Sequence, residues 1–181
     1  PERTDEIIRI RPTEEQWEIS NGNLRIAKQI AAKRFLTEMD LLRLQKALLV
    51  ARMAADSTYL CDKQEPEYSS KLERLGELLE DLIQDPTRKI VLFSEWRTML
   101  DRIELKLDAI GCDYVRLDGQ IPQKQRPAIV KQFQEDPDCR LILMTNAGST
   151  GLNLQSANTV INVDLPWNPA VLEQRIARAH R

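Results

Sequence analysis

The chain has 181 residues and a mass of 20.9 kDa, a size that suits one domain, or one domain with a smaller appendage. Charged residues make up 30% of the sequence and hydrophobic residues 42%, a balance typical of folded globular proteins and not of disordered ones. The formal net charge of −2 excludes a strongly basic protein that wraps nucleic acid, although it leaves room for a local basic groove.

Several further classes are excluded by what the sequence lacks. No run approaches about 18 uncharged apolar residues, so we expect no membrane span, and we expect no signal peptide. The three cysteines are odd in number and form no C-x-x-C pair, which predicts neither a disulfide framework nor a zinc site. Because the chain starts at Pro1 and stops at Arg181 inside a predicted helix, we interpret it as part of a longer cytoplasmic protein.

The first half of the chain is predicted to be mainly helical. An extended segment over residues 4–11 ends at Pro12, and Thr13 with Gln16 forms a capping box that starts a helix. The Asn-Gly-Asn sequence at residues 21–23 predicts a break in that helix.

A second long helix is predicted over residues 24–55, followed by a polar loop over residues 56–69. Ser70 with Glu73 forms another capping box, which predicts a helix that ends before Pro86.

The second half alternates between strands and helices. Short apolar runs predict four strands, at residues 89–94, 114–117, 140–145 and 159–163. Helices are predicted at residues 97–110, in the segment ending near Phe133, and from Pro169 to the end of the chain. This alternation predicts a parallel sheet covered by helices on both faces. Ligands of such sheets bind beside the carboxyl ends of the strands.

The last predicted helix carries a polar face. Gln174, Arg178 and Arg181 are spaced i, i+4 and i+7, so they share one side of a helix. The roughly opposite side is the apolar stripe of Leu172, Ile176 and Ala179. Two converging guanidinium groups favour an anion between them, and a triphosphate fits their planar geometry. The alternative is a solvated basic face at the end of the helix.

The segment after the third strand, residues 145–153, contains Gly148 and Gly151. Small residues let backbone N–H groups approach a phosphate closely, but such glycines also occur for purely steric reasons. Trp167 either stacks on a sugar or base, or packs as a core indole. The 181 residues contain no G-x-x-x-x-G-K-[ST] motif, so a nucleotide-hydrolysing function requires a second lobe.

Together these segments resemble the second RecA-like lobe of superfamily-two helicase-type ATPases, in the SWI/SNF branch of DNA-translocating remodelling motors. The matching segments occur in the family's order: residues 89–95 (motif four), 116–119 with 123–126, 144–154 (motif five), and 164–169 with 174–181, the D-x-x-W-N-P…Q-x-x-x-R-A-H-R signature of motif six.

This resemblance implies an α/β fold, a parallel-sheet RecA-like three-layer lobe preceded by an α-helical insertion subdomain. Residues 1–12 would be the segment leaving a first lobe that is absent here. Residues 13–69 would be the helical insertion, and residues 70–181 the second lobe.

The resemblance also implies roles for individual residues. Arg178 and Arg181 would be arginine fingers, oriented by Gln174, that act on ATP held with Mg²⁺ mainly by the absent first lobe. The ATP side of the cleft would be lined by Gly151 and Asn153. The backbone of double-stranded DNA would be contacted by Ser94, Arg126, Thr145 and Trp167. No protein-bound metal is expected in this chain.

Two residues depart from the family pattern. Pro127 falls where a helix is expected, so that helix should begin at or just before it. Asn146 stands where many relatives carry Arg, which predicts a weaker phosphate contact.

The leading interpretation is thus one half of a DNA-dependent motor ATPase, inactive alone, with the first lobe and double-stranded DNA as partners and no membrane. It would be nucleoid-associated in a bacterium and nuclear in a eukaryote. The alternatives are the second lobe of an RNA helicase and a non-catalytic α/β interaction module.

Overall fold

The computed structural model describes residues 2–148, 151–166 and 168–180. The chain divides into two compact units, one formed by residues up to Glu6 and from Gly76 onwards, the other by Ile7–Leu75. None of the described helices is both long and apolar enough to cross a membrane.

The unit Ile7–Leu75 is helical. It contains α1 (Glu14–Ala31), α2 (Glu38–Asp56), α3 (Thr58–Asp62) and the first turns of α4 (Ser70–Leu82). The capping box predicted for α1 is confirmed: the Thr13 hydroxyl accepts from the Gln16 N–H at 3.2 Å, and the Gln16 side chain accepts from the Thr13 N–H at 2.9 Å.

The break predicted at residues 21–23 is wrong, since α1 runs straight through them. A glycine inside a helix costs only about 1 kcal/mol, and the Asn23 side chain donates to the Ile19 carbonyl four residues back, which satisfies it within the helix. The helix ends instead at Ala32, and a second capping box of Thr37 and Asp40 starts α2.

The loop predicted over residues 56–69 contains the short helix α3, which is capped by the Ser57 hydroxyl. The predicted cap of α4 is displaced by one residue. The Ser69 hydroxyl accepts from the Leu72 N–H at 3.0 Å, whereas the Ser70 hydroxyl donates to the Arg11 carbonyl at 2.7 Å.

The other unit is built on a four-stranded parallel sheet, and all four predicted strands are confirmed. They are β1 (Ile90–Phe93), β2 (Tyr114–Leu117), β3 (Leu141–Met144) and β4 (Thr159–Asn162), arranged in the order β2-β3-β1-β4. The two central strands are completely buried, which explains their unbroken apolar sequences.

Helices α5 (Arg97–Ala109) and α6 (Arg126–Glu135) follow β1 and β2. The chain passes from β1 over β3 to the edge strand β2, then returns one place to β3. Because parallel crossovers are right-handed, these opposite moves place α5 and α6 on opposite faces of the sheet. The three-layer α/β fold predicted from the sequence is therefore confirmed.

The core on the α6 side also includes the connection between β3 and β4. The helix contributes Val130 and Phe133, and the connection contributes Leu154 and Ala157. The remaining buried members come from the strands and their ends: Val91, Phe93, Leu117, Cys139, Ile142 and Met144.

Helix α7 (Pro169–Ala177) is shorter than the sequence predicts. Asn168 caps its start and Pro169 opens it, as expected, but the helix ends at Ala177 with Arg178 as its C-cap residue. Arg181, which was expected on the same helical face, lies outside the described residues.

At the amino end of β1, the Lys89 ammonium group closes the end of α6. It donates to the carbonyls of Asp136 at 2.8 Å and Cys139 at 2.7 Å, and also to the Phe133 carbonyl. Burial lowers the pKa of Lys89. A positive charge at a helix carboxyl end is stabilising, so Lys89 fixes the end of the sheet opposite to Ser94.

The network around Asp40 generates a prediction about pH. Hydrogen bonds from Lys33 and Thr37 lower the pKa of Asp40 to about 2. A carboxylate whose pKa is lowered by folding stabilises the protein fully above its ordinary pKa, and that contribution disappears as the pH falls through about 2. We expect Asp40→Asn to lower the urea midpoint of helix unfolding at pH 6, with the difference from wild type shrinking at pH 3 and below.

The control for this experiment is Asp81→Asn, which removes an exposed carboxylate from α4. A difference between wild type and Asp40→Asn that stays constant from pH 6 to the acid limit would contradict the assignment.

Candidate functional site

The candidate site lies at the carboxyl ends of β1, β3 and β4. The chain leaves β1 towards β2 but leaves β3 towards β4, so the two connections depart in opposite directions. In open α/β sheets a ligand crevice forms at this point. Ser94 and Thr145 directly follow β1 and β3, and Asp164 lies two residues after β4.

Asp164 ties the end of β4 to the end of β1. Its carboxylate accepts from the Ser94 hydroxyl at 2.6 Å and from the Glu95 N–H at 2.8 Å. The Ser94 hydroxyl also accepts from the Trp96 N–H at 3.2 Å, and its side chain is fully buried. The structure thus gives Ser94 an internal role, and its contact with DNA stays a prediction.

Arg175 is the main residue that the sequence analysis missed. Although charged, it is only 2% exposed and lies over the ring of Phe93, 5.3 Å from the centroid. Its guanidinium donates to the Asn146 side chain at 2.7 Å, to the Asn162 side chain at 3.3 Å and to the Asp164 carbonyl at 2.9 Å. One side chain therefore joins α7 to the ends of β1, β3 and β4.

A signal for Arg175 was present in the sequence. It lies three residues after Leu172 and next to Ile176, inside the apolar stripe that was expected to face the sheet. Burial lowers the pKa of Arg175, while the nearby carboxylates of Asp164 and Glu95 oppose that shift. Its Nη2 atom has no hydrogen-bond partner among the described residues and lies 3.8 Å from an Asp164 oxygen.

Asn146 has a structural role that explains its departure from the family pattern. Its side-chain oxygen accepts the shortest of the hydrogen bonds made by Arg175. An arginine at position 146 would place two guanidinium groups against each other in a buried site, where like charges repel strongly. Asn146 and Arg175 therefore form a matched pair.

A backbone hydrogen bond joins the two segments that carry the residues predicted to act on a nucleotide. The carbonyl of Arg178 accepts from the Leu154 N–H at 2.8 Å, which brings the end of α7 against the segment containing Gly151 and Asn153. The Arg178 side chain is partly exposed and makes no hydrogen bond or ion pair with the described residues, and Gln174, one turn earlier, is exposed. This group of guanidinium and amide donors suits a polyphosphate anion.

Gly151 and Asn153 are constrained in different ways, one by its backbone conformation and the other by a side-chain hydrogen bond. Gly151 has a φ of +75°, a conformation that glycine adopts without strain. The Asn153 side-chain oxygen accepts from the Gln155 N–H at 3.0 Å, and the residue remains exposed.

Arg126 links two loops. Its guanidinium donates to the carbonyls of Ile121 at 3.1 Å and Ala147 at 3.3 Å. Helix α6 begins at Arg126, as Pro127 predicted. The residue therefore orders the rim of the site, and its contact with DNA stays a prediction.

Thr145 is buried, and its hydroxyl has no hydrogen-bond partner among the described residues. A buried hydroxyl without a partner costs roughly 1–3 kcal/mol. Thr145 thus keeps a buried hydroxyl that none of the described residues satisfies. Trp167, the other residue predicted to contact DNA at this edge, lies outside the described residues.

Gly148 serves packing. A Cβ atom there would lie 2.2 Å from the Leu117 carbonyl oxygen, so only glycine lets the loop after β3 approach the end of β2. The steric explanation of this glycine is therefore favoured over phosphate binding.

The end of β2 is fixed by a charged network. Arg116 donates to Asp118 at 3.0 Å and to Asp101 at 2.6 Å, and it also contacts Glu104. Burial raises the pKa of Asp118, but hydrogen bonds from the Gln120 N–H and from Arg116 outweigh it, so the pKa is lowered. The described residues contain no group of three or more His, Cys, Asp or Glu arranged to hold a metal.

Comparison with known proteins gives a consistent result. The family model described as "Helicase conserved C-terminal domain" matches residues 70–181. The DNA repair protein RAD5A of Arabidopsis thaliana is 41% identical over 114 residues, which cover 62% of this chain and 11% of the relative. The human SWI/SNF-related matrix-associated actin-dependent regulator of chromatin subfamily A member 1 is 35% identical over 157 residues, 80% of this chain and 15% of the relative. The chain thus spans about a tenth to a sixth of the length of these curated relatives.

Solved structures agree with the sequence relatives. The Sulfolobus solfataricus SWI2/SNF2 ATPase core in complex with double-stranded DNA has a TM-score of 0.78 and 25% identity, covering 92% of this chain and 36% of that one. The C-terminal domain of the same archaeal ATPase, solved alone, has a TM-score of 0.78 and 26% identity, covering 90% and 72%.

The close approach at Gly148 predicts a large effect of substitution. We expect Gly148→Ala to lower the free energy of unfolding by at least about 2 kcal/mol, because the new methyl group meets backbone atoms that cannot move aside. Thermal unfolding measures the change. The control is Gly22→Ala, where the space is open and helix propensity should stabilise by up to about 1 kcal/mol. Equal stabilities for Gly148→Ala and wild type would refute this packing.

Removing the hydroxyl of Thr145 should have an unusual effect on stability. We expect Thr145→Val to leave the free energy of unfolding unchanged or to raise it by about 1 kcal/mol, because no hydrogen bond within the described residues is lost. The matched control is Thr159→Val on β4, where the hydroxyl bonds to Arg88 and Asn158 and its loss should destabilise by about 1 kcal/mol. A loss at Thr145 as large as that at Thr159 would show that its hydroxyl is already paired.

Proposed function

This chain belongs to the helicase conserved C-terminal domain family, in its SWI/SNF branch, and on that premise we propose that it is the second lobe of an ATP-dependent motor that translocates along double-stranded DNA. The observation that carries the proposal is the partly exposed guanidinium of Arg178, which has no partner among the described residues and whose backbone is bonded to Leu154, next to Asn153.

The proposed arrangement assigns three parts to the chain. Residues 1–12 connect to a first lobe, residues 13–69 are a helical insertion, and residues 70–181 are the second lobe. The first lobe supplies the G-x-x-x-x-G-K-[ST] motif that these 181 residues lack. The chain is therefore inactive until both lobes meet.

The residues at the edge of the sheet fit ATP as the ligand. Arg178, Gln174 and Asn153 offer donors, and among the described residues no carboxylate is hydrogen-bonded or ion-paired to Arg178. A triphosphate needs such donors, and Mg²⁺ would arrive with the nucleotide because it keeps phosphate and water ligands. When bound, ATP supplies the phosphoanhydride whose cleavage drives the motor.

The chemical work of this lobe is electrostatic. Arg178, and Arg181 by its place in the motif, would bind the phosphate oxygens and stabilise the negative charge that develops on them. Arginine fingers of this kind typically contribute about 10³–10⁵ in rate. Gln174, one turn before Arg178, would orient the guanidinium groups. The Leu154 N–H donates to the Arg178 carbonyl at 2.8 Å, which supports a fixed backbone position for the proposed finger.

DNA would be held at the same edge by contacts to its phosphate backbone. The Thr145 hydroxyl, which has no partner among the described residues, is the strongest candidate, with Trp167, Ser94 and Arg126 as the other proposed contacts. The DNA complex of the related archaeal core supports duplex DNA as the partner. Backbone contacts carry no sequence information and depend on salt, which suits a motor that moves along any sequence. A nucleoid or nuclear location follows from that partner.

Removing the finger should abolish turnover without affecting folding. In the protein containing both lobes, we expect Arg178→Ala to lower the DNA-stimulated kcat for ATP hydrolysis at least 10²-fold, within the range of known fingers. The rate is measured with duplex DNA, duplex RNA and no nucleic acid. The control is Lys131→Ala, which removes an exposed positive charge from α6.

A folded Arg178→Ala protein that retains more than about a tenth of the kcat would reject the finger assignment. Stimulation by duplex RNA but not by duplex DNA would replace the proposed DNA motor by an RNA helicase. No ATP hydrolysis under any condition would favour an interaction module.

A further inference from the structure

We propose that Arg175 is a positioning residue for Arg178, fixing the helix that carries the finger against three strand ends. This inference rests on the proposed function of Arg178. Arg175 touches neither the proposed nucleotide nor DNA, since it is 98% buried and its donors face Asn146, Asn162 and Asp164.

Besides the exposed ion pair of Glu173 with Arg3, two contacts anchor α7 near Arg178. The first is the Arg175 guanidinium, whose bonds reach the end of β3 through Asn146 and the end of β4 through Asp164. The second is the hydrogen bond from the Leu154 N–H to the Arg178 carbonyl. Arg178 lies one helical turn beyond the first anchor and directly on the second. These contacts fix the direction of α7 and the position of its carboxyl end relative to the sheet.

Packing alone does not require an arginine at position 175. The residue occupies the apolar stripe of α7, where leucine would fill space without the cost of burying a charge. A guanidinium provides something leucine lacks, since its donors have fixed directions and its plane stacks on the Phe93 ring. A helix held by directional bonds cannot slide along the sheet, whereas one held by apolar contact can.

The anchor also joins the two proposed functions of the edge. Asp164 bonds to Arg175 through its carbonyl and to Ser94 through its carboxylate. Asn146 adjoins Thr145. The strand ends that carry the proposed DNA contacts are therefore the same ends against which the finger is set.

The test compares Arg175→Lys with Lys89→Met in the protein containing both lobes. Arg175→Lys keeps the charge but loses the planar fork, so we expect at least a tenfold lower DNA-stimulated kcat with little change in KM, because a misplacement of about 1 Å can cost up to 10²-fold. Lys89→Met destabilises the opposite end of the sheet and should leave kcat within about twofold at a temperature well below unfolding.

The second readout needs no nucleotide. Hydrogen exchange of peptides covering residues 151–156 and 174–180 should speed up in Arg175→Lys, because the Leu154 N–H loses its fixed acceptor, while peptides from β1 and β3 stay protected. Lys89→Met should leave residues 174–180 unchanged.

Combining Arg175→Lys with Arg178→Ala separates the possibilities. If Arg175 acts through Arg178, the double variant is no slower than Arg178→Ala alone. Multiplying losses, or an unchanged kcat and unchanged exchange in Arg175→Lys, would overturn the inference. If Arg178→Ala itself keeps full activity, the proposed function fails, and the exchange experiment still decides whether Arg175 holds the end of α7.

Discussion

The buried contact of Arg175 with the ends of β3 and β4 is the interaction on which the candidate site depends. A guanidinium in a water-poor environment is tolerated only where its hydrogen bonds are satisfied nearly completely. Two amide oxygens and a backbone carbonyl accept three of its hydrogen bonds, and the charge of its Nη2 group is balanced by the Asp164 carboxylate 3.8 Å away. These contacts fix the position of α7 on the sheet, and they thereby fix the position of Arg178 at its carboxyl end.

The sheet could be predicted from the sequence because burial on both faces demands unbroken apolar runs, and β1 and β3 show them. The ends of the helices were harder to predict. Asn21-Gly22-Asn23 has the composition of a break, yet the tertiary structure keeps α1 intact, whereas the true break at Ala32 was hidden among helix-forming residues. Local propensity is a weak guide when neighbouring helices decide the outcome.

Some residues of the candidate site could likewise be predicted from the sequence, whereas others could not. Gln174, Arg178, Gly151 and Asn153 could be grouped by their order in the chain, and the structure joins the end of α7 to the segment after β3 through the bond from the Leu154 N–H to the Arg178 carbonyl. Arg175 was missed although it lies inside the apolar stripe of α7, because an arginine in sequence looks like a surface residue and only the fold reveals its three acceptors. Gly148 illustrates a different limit. A glycine is required there by the close approach of the Leu117 carbonyl, which lies 31 residues away in the sequence, on β2.

Arg178 sits on the final turn of α7, where backbone carbonyls carry roughly half a negative elementary charge. Under the proposed function, these carbonyls and a bound nucleotide would both attract the Arg178 guanidinium, and a triphosphate would attract it more strongly than a diphosphate. The helix terminus would then favour return of the arginine, and with it release of the product, once hydrolysis has lowered the charge on the ligand.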